Sequence, residues 1–262
     1  MGQQWLDDKK KSMKAYDFKI AIQNRDPTRP EDGFYPDYDE QIHNHSEMMD
    51  YNPHAPLIIA PDYQHSVSPL SIAQITKMPG AEKPSLNYVN ALDTMPPDGL
   101  KACIELFCTT YANHSNKLVY YVYDQTATGK RTDEIQYYIS VIQVLKAHRW
   151  HVVEVYTGAA PGHYQKYMDT QNWLTNEKGE SMDIRINQVR CPKLVISITG
   201  APAKMNRGKT EKDKKYEDTH KYPQLDQSLT THFSDTFDMI NHAVLKLKRI
   251  RPGLSMQQGI YL

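Results

Sequence analysis

Three aspartates stand at points of the chain where a fold could hold carboxylates rigidly. Asp62 follows the apolar, β-branched run 57–61, and Asp124 follows the run 118–123. Both runs are typical of buried strands. Asp235 lies in the first turn of the last predicted helix. A carboxylate at the end of a buried strand has lost much of its solvent, so it needs a cation or hydrogen-bond donors nearby.

Carboxylates that converge from rigid elements suit the chemistry of hard divalent cations. Mg²⁺ and Mn²⁺ prefer anionic oxygen donors, and two-metal phosphoryl transfer uses a pair of cations about 3.5–4 Å apart. If the strands before Asp62 and Asp124 are neighbours, these acids lie side by side at one sheet edge. A helix that crosses this edge then brings in Asp235. We therefore predict two Mg²⁺ or Mn²⁺ ions held by Asp62, Asp124 and Asp235.

Other interpretations of these residues stay open. Asp is common at strand ends and helix starts, so each acid could merely end or cap its element. Asp238 lies one helical turn after Asp235 on a similar face, so it could replace Asp235 as the third ligand. His232 could assist a proton transfer, orient a phosphate or serve only the start of the helix.

The acids meet only if the chain supplies strands and helices in a suitable order. Apolar periodicity and turn residues predict these elements. The predicted strands are 57–63, 71–76, 86–92, 118–123 and 150–156. The predicted helices are 100–111, 164–174, 192–199 beginning with Pro192, and 231–249. A further helix is predicted from an apolar stripe over 135–142, with Thr132 as its N-cap. Between residues 158 and 187 the pattern predicts no strand.

The connections between these elements predict an α/β fold. Short links between the first three strands favour an antiparallel meander, whereas helical crossovers between the later strands favour parallel pairing. The expected sheet is mixed, with three antiparallel strands followed by parallel strands, and is flanked by helices. We expect this domain to cover residues 56–250. Residues 1–55 have poor apolar periodicity and are predicted to form an N-terminal arm or linker, and residues 251–262 a C-terminal tail.

The composition excludes several classes of protein. With 262 residues the chain can bury a sizeable core, and its formal net charge of zero gives no global attraction to nucleic acid. Three cysteines without C-x-x-C spacing argue against a disulfide framework and a zinc site. No apolar segment is long enough to span a bilayer, and the start of the sequence is polar. We expect an intracellular protein without a membrane partner.

Any DNA contact must therefore come from local basic residues. The segment 204–218 is the best candidate, because a Lys or Arg that reaches a phosphate releases counterions. Its cations are Lys204, Arg207, Lys209, Lys212, Lys214 and Lys215. Four acids in the same segment offset most of this charge, so a solvated loop is the alternative. Lys130 and Arg131 are fewer but closer to Asp124 in the sequence.

Four short motifs point to a known family. They are Phe34-Tyr35-Pro36, Tyr123-Asp124 followed by Gly129-Lys130-Arg131, Lys212-Asp213-Lys214, and Thr231-His232-Phe233-Ser234-Asp235. Over roughly residues 34–245 the chain resembles the nuclease domain of the large terminase subunit of tailed bacteriophages, which has a ribonuclease-H-like fold. The resemblance implies that Asp62, Asp124 and Asp235 hold two divalent ions, and it favours Asp235 over Asp238.

The same resemblance implies a function and a set of partners. We expect an endonuclease that cuts double-stranded DNA during packaging, in the cytoplasm of a bacterial host. An ATPase motor domain, a small terminase subunit and a portal protein are the implied partners. The chain departs from the family because it lacks the ATPase phosphate loop: seven residues separate Gly200 from Gly208, where four are required. The alternatives are a ribonuclease-H-like junction resolvase or transposase-type nuclease, and a catalytically silent DNA or portal docking module.

Overall fold

The computed structural model describes residues 33–45, 51–63, 66–77, 81–129, 135–176 and 182–250. The strands are β1 (Asn44–His45), β2 (Leu57–Pro61), β3 (Ser68–Thr76), β4 (Ser85–Thr94), β5 (Leu118–Tyr123), β6 (His151–Tyr156), β7 (Asp183–Asn187), β8 (Ala203–Asn206) and β9 (Lys209–Lys212). The helices are α1 (Glu40–His43), α2 (Leu100–Thr110), α3 (Tyr137–Ala147), α4 (His163–Thr175), α5 (Pro192–Gly200) and α6 (His232–Ile250). Short 3₁₀ turns occupy Gln125–Thr128, Lys215–Glu217 and Gln227–Leu229.

Seven of the described strands form one mixed sheet in the order β1-β7-β4-β3-β2-β5-β6. β3 is antiparallel to both β2 and β4, whereas β5, β6, β7 and β1 pair in parallel with their neighbours. Helical crossovers join β4 to β5 and β5 to β6, as parallel pairing requires. The carboxyl ends of β2, β5 and β6 consequently lie at the same edge of the sheet.

Alternation along the strands divides the core into two layers. In β2, Leu57 and Ile59 belong to one apolar cluster, and Ile58 and Ala60 belong to the other. The first cluster contains the apolar stripes of α2 and α3, and the second contains those of α4, α5 and α6. Because both faces are covered, the central strand β2 is buried throughout, which explains its continuous apolar run.

The predicted fold class is confirmed by this topology, since three antiparallel strands are followed by parallel strands between two layers of helices. The structure also contains elements that the sequence pattern did not predict. β7 lies in the stretch 158–187, where no strand was expected, and the charged segment 204–218 contains most of the β8–β9 hairpin. β7 is short and follows a residue range in which charged and polar residues interrupt the apolar pattern. The predicted N-cap Thr132 lies outside the described residues.

Part of the predicted N-terminal arm packs into the core. Phe34, Tyr35 and Tyr38 are each at most 2% exposed and belong to the cluster that contains α4, α5 and α6. The backbone N–H of Phe34 donates to the carbonyl of Ala201 at 2.9 Å. The boundary between residues 55 and 56 stays a prediction about domain organisation. Among the helices that the structure describes, none combines the length and the apolar character needed to cross a bilayer.

Candidate functional site

Asp62 and Asp124 lie at the same level of two neighbouring parallel strands. β2 pairs with β5 through Leu57 and Val119, Ile58 and Tyr120, and Ile59 and Tyr121. Continuing this register past the end of both strands places Asp62 opposite Asp124. The two strands are therefore neighbours, as the sequence argument requires, and both acids lie at the carboxyl edge of the sheet.

Hydrogen bonds from nearby backbone and one histidine orient the two strand-end carboxylates. Oδ1 of Asp62 accepts from the N–H of Tyr63 at 2.9 Å, and its Oδ2 lies 3.1 Å from Nδ1 of His232. Oδ1 of Asp124 accepts from the N–H of Thr126 at 2.8 Å, so Asp124 caps the following 3₁₀ turn. Asp124 therefore caps the element that follows it, as the alternative interpretation of this residue predicts.

Two buried tyrosines come from the same two stretches of chain as these acids. The hydroxyls of Tyr63 and Tyr121 are 2.7 Å apart, and both side chains are buried. Burial raises the pKa of Tyr63 well above its ordinary value, and the nearby Tyr121, Asp124 and Asp62 raise it further. Tyr63 therefore remains an uncharged phenol at neutral pH.

Asp235 and Asp238, in contrast, share an internal cation. Nζ of Lys212 donates at 2.8 Å to Oδ1 of Asp235 and at 2.8 Å to Oδ2 of Asp238, and at 3.0 Å to the hydroxyl of Ser234. The Lys212 side chain is fully buried, at 0% exposure. Tyr35 donates its hydroxyl to Oδ1 of Asp238 at 2.8 Å. The buried ammonium group thus donates to three acceptors, so all of its hydrogen-bonding capacity is used within this ion cluster.

The charges of this cluster shift one another's protonation equilibria. Burial alone would raise the pKa of Asp235, but Lys212 and Lys214 outweigh it and hold the pKa well below its usual range. Burial would lower the pKa of Lys212, but Asp235 and Asp238 raise it above 10.5. Both pKa shifts favour the charged forms, so Lys212 and Asp235 form an ion pair rather than a neutral hydrogen-bonded pair.

Lys214 and His163 extend the cluster toward the surface. Lys214 pairs with Asp235, and its Nζ lies 3.4 Å from the carboxylate of Glu217. Burial lowers the pKa of His163, and the positive charges of Lys166, Lys212 and Lys214 lower it further. Nδ1 of His163 is buried without a hydrogen-bond partner among the residues described. The side of the site that holds Asp235 is therefore rich in cations.

The basic residues predicted to contact DNA divide into groups. Lys204, Arg207 and Lys209 are exposed on the β8–β9 hairpin, and Lys209 lies 5.8 Å from the ring centre of Tyr164. Lys215 pairs with Asp213 at 3.4 Å. For Lys212 the prediction needs correction, because its ammonium group is buried in the ion cluster and faces no solvent. Lys130 and Arg131 lie outside the described residues.

The four aspartates differ in whether their carboxylates are available to bind a divalent cation. Asp62 and Asp124 offer carboxylate oxygens at one edge, and within the described parts of the chain no Lys or Arg pairs with either. Asp235 and Asp238 are already neutralised by lysines. Among the described residues no three His, Cys, Asp or Glu side chains are grouped as metal ligands. That Asp62, Asp124 and Asp235 surround two metal ions stays a prediction.

Several residues at this site carry little signal in the sequence. Lys212 resembles the other lysines of its segment, and only its contacts with Asp235 and Asp238 show that its side chain turns inward. The sequence predicts Tyr63 at the end of a strand, but its contact with Tyr121 depends on the pairing of β2 with β5. Gln227, which lies 3.4 Å from His232, carries no local motif.

Comparison with known proteins identifies related folds. No protein-family model matches the sequence, and no curated protein matches it. The large terminase of a thermophilic bacteriophage matches with a TM-score of 0.53 and 11% identity, over 94% of this chain and 53% of that protein. A mutant nuclease domain of the large terminase subunit gp2 of bacterial virus Sf6, with manganese and beta-thujaplicinol, matches with a TM-score of 0.40 and 9% identity, over 75% of this chain and 90% of that domain.

These matches concern the fold. The chain shares the fold of the large terminase of the thermophilic bacteriophage and spans about half the length of that protein. The resemblance drawn from the sequence motifs is therefore confirmed at the level of architecture.

Proposed function

We propose that this chain is the nuclease part of a phage DNA-packaging terminase large subunit. The observation that carries the proposal is the parallel pairing of β2 with β5, the two strands whose carboxyl ends precede Asp62 and Asp124. The fold shared with the large terminase of the thermophilic bacteriophage supports it. The substrate is double-stranded DNA, and the reaction is hydrolysis of a phosphodiester bond with one or two Mg²⁺ or Mn²⁺ ions.

Asp62 and Asp124 would hold the cation, because their carboxylates are oriented by hydrogen bonds but have no lysine counter-ion among the described residues. A bound divalent ion would supply Lewis-acid stabilisation of charge on the phosphate oxygens. The exposed Lys204, Arg207 and Lys209 of the hairpin would contact the DNA backbone without reading its sequence. Lys130 and Arg131, which lie outside the described residues, stay predicted DNA contacts on the basis of the sequence alone. An ATPase motor domain, a small terminase subunit and a portal protein would be the partners in the bacterial cytoplasm.

Plasmid cleavage tests this function. The purified chain is incubated with supercoiled plasmid and Mn²⁺, and nicked and linear products are followed over time. Asp62→Asn and Asp124→Asn should remove most of the rate, whereas Asp98→Asn, the same change at an exposed acid before α2, should not. Cleavage that persists in both site variants would contradict the proposal. Branched and linear DNA compared side by side separate a terminase from a junction resolvase.

One observation favours a second candidate. Asp235 is held by Lys212 and Lys214, so the third expected ligand is not available as a bare carboxylate. A catalytically silent module that docks DNA or a portal would tolerate this arrangement. Calorimetric titration with Mn²⁺ distinguishes the two, because the docking module would bind no cation even when DNA is present.

A further inference from the structure

His232 and Gln227 form a chain of contacts that ends on Asp62. His232 is the first residue of α6 and is 1% exposed, and Gln227 is 5% exposed in the 3₁₀ turn that precedes the helix. Nδ1 of His232 lies 3.1 Å from Oδ2 of Asp62, and its Nε2 lies 3.4 Å from Oε1 of Gln227. The imidazole is thus held between two oxygens.

The orientation of the Gln227 amide is set by a third group. Nε2 of Gln227 donates to the carbonyl of Tyr216 at 3.2 Å, so its Oε1 must face His232. A carbonyl oxygen only accepts, and a carboxylate only accepts when ionised. Both ring nitrogens therefore lie beside oxygens of other side chains. This arrangement fixes which way the ring and the Asp62 carboxylate point.

We propose that His232, oriented by Gln227, is the positioning residue for Asp62. The inference rests on the proposed function, in which Asp62 is a cation ligand. A ligand carboxylate held by an outer hydrogen bond binds metal more tightly, because less freedom is lost on binding. His232 is suited to this role because the first turn of α6 also carries Asp235, so one helix start reaches both the strand-end acid and the helix acid.

Two substitutions at His232 separate positioning from packing. His232→Phe keeps a ring in the buried space but removes the N–H toward Asp62. His232→Asn restores an amide N–H near the position of Nδ1. We expect His232→Phe to weaken Mn²⁺ binding by about 10–100-fold, as loss of an outer-shell partner does, and His232→Asn to recover most of that loss. Gln227→Leu should weaken binding in the same direction but less.

His43→Phe provides the matched control. His43 is also a buried histidine, 3% exposed, but it lies beside Asp39 and the carbonyl of Leu174. The substitution His43→Phe should leave the Mn²⁺ affinity unchanged. Equal affinities for wild type, His232→Phe and His43→Phe would overturn the positioning role, as would equal losses at both histidines.

A measurement without metal keeps this inference separate from the proposed function. NMR of the imidazole ring should show a solvent-protected N–H signal at Nδ1 of His232 that shifts in Asp62→Asn. The ring signals should also change in Gln227→Leu, because Nε2 loses its contact with Oε1 of Gln227. If the wild type binds no Mn²⁺, the proposed function fails while these signals still decide whether His232 holds Asp62. Ring signals that neither substitution changes would refute the positioning role.

Discussion

Two pairs of carboxylates at the same edge of the molecule balance their charge in different ways. Asp62 and Asp124, at the ends of β2 and β5, receive hydrogen bonds from backbone N–H groups, and Asp62 also contacts a histidine. Asp235 and Asp238, on α6, share the buried ammonium group of Lys212. The strand acids thus have no Lys or Arg partner among the described residues, whereas the helix acids have their cation within the fold. Function is expected to depend on the first pair and stability on the second.

The largest expected effect is on cleavage by Asp124→Asn. Because one ligand of the proposed cation is lost, the rate should fall by about 10²–10³-fold, which corresponds to a few kcal/mol of transition-state stabilisation. The fold should tolerate the change, since Asn caps a turn about as well as Asp and can still accept from Thr126. Plasmid cleavage and urea unfolding of the same samples measure both quantities. If Asp124→Asn lowers the free energy of unfolding but keeps the cleavage rate, Asp124 serves stability and not function.

A change of similar size in free energy is the loss of stability in Lys212→Met. Removing the ammonium group leaves two buried carboxylates without a counter-ion, which costs about 3–5 kcal/mol in comparable clusters. Urea unfolding of Lys212→Met should show this decrease in the free energy of unfolding. Lys214→Met should lose less than about 1 kcal/mol, because Lys214 is partly exposed and Asp235 keeps Lys212.

A combined variant checks the cause of that decrease. Lys212→Met with Asp235→Asn and Asp238→Asn removes the stranded charges, so much of the lost stability should return. If the combined variant is as unstable as Lys212→Met alone, packing of the lysine stem, rather than charge, explains the loss.

The difference between the two pairs also shows what could be predicted from the sequence. The sequence singles out Asp62 and Asp124 because each ends an apolar run. That the two strands are neighbours is a condition in the sequence argument, and the sheet order meets it. Lys212 could not be distinguished, because its burial depends on the β8–β9 hairpin packing beside α6, a contact between distant segments. Tyr35 lies in a segment without apolar periodicity, yet it reaches Asp238 across more than half the chain. Local pattern reveals strand ends, but only tertiary packing reveals which charges neutralise each other.

Alkaline pH should reduce the stabilising effect of Lys212. Its folded-state pKa is raised above 10.5 by Asp235 and Asp238, against the effect of burial. A raised lysine pKa stabilises the fold fully below the unfolded value, and the stabilisation is lost as pH rises through the folded value. The difference in unfolding free energy between wild type and Lys212→Met should therefore be constant from neutral pH to about pH 10 and then shrink. Urea unfolding at a series of pH values measures it, and a difference that grows with pH would be incompatible with the ion cluster.

The smallest effect is expected at His163, beside the lysine-rich pair. Burial lowers its pKa below 6.5, and Lys166, Lys212 and Lys214 lower it further. Lys214→Met removes one of these positive charges, so the pKa of His163 should rise toward 6.5, which NMR titration of the ring protons measures. Lys193→Met is the control, since Lys193 pairs with Asp93 at 2.8 Å and does not contribute to the shift at His163. If both substitutions move the titration equally, the cations do not act locally, and the electrostatic contrast between strand acids and helix acids is weaker than their contacts imply.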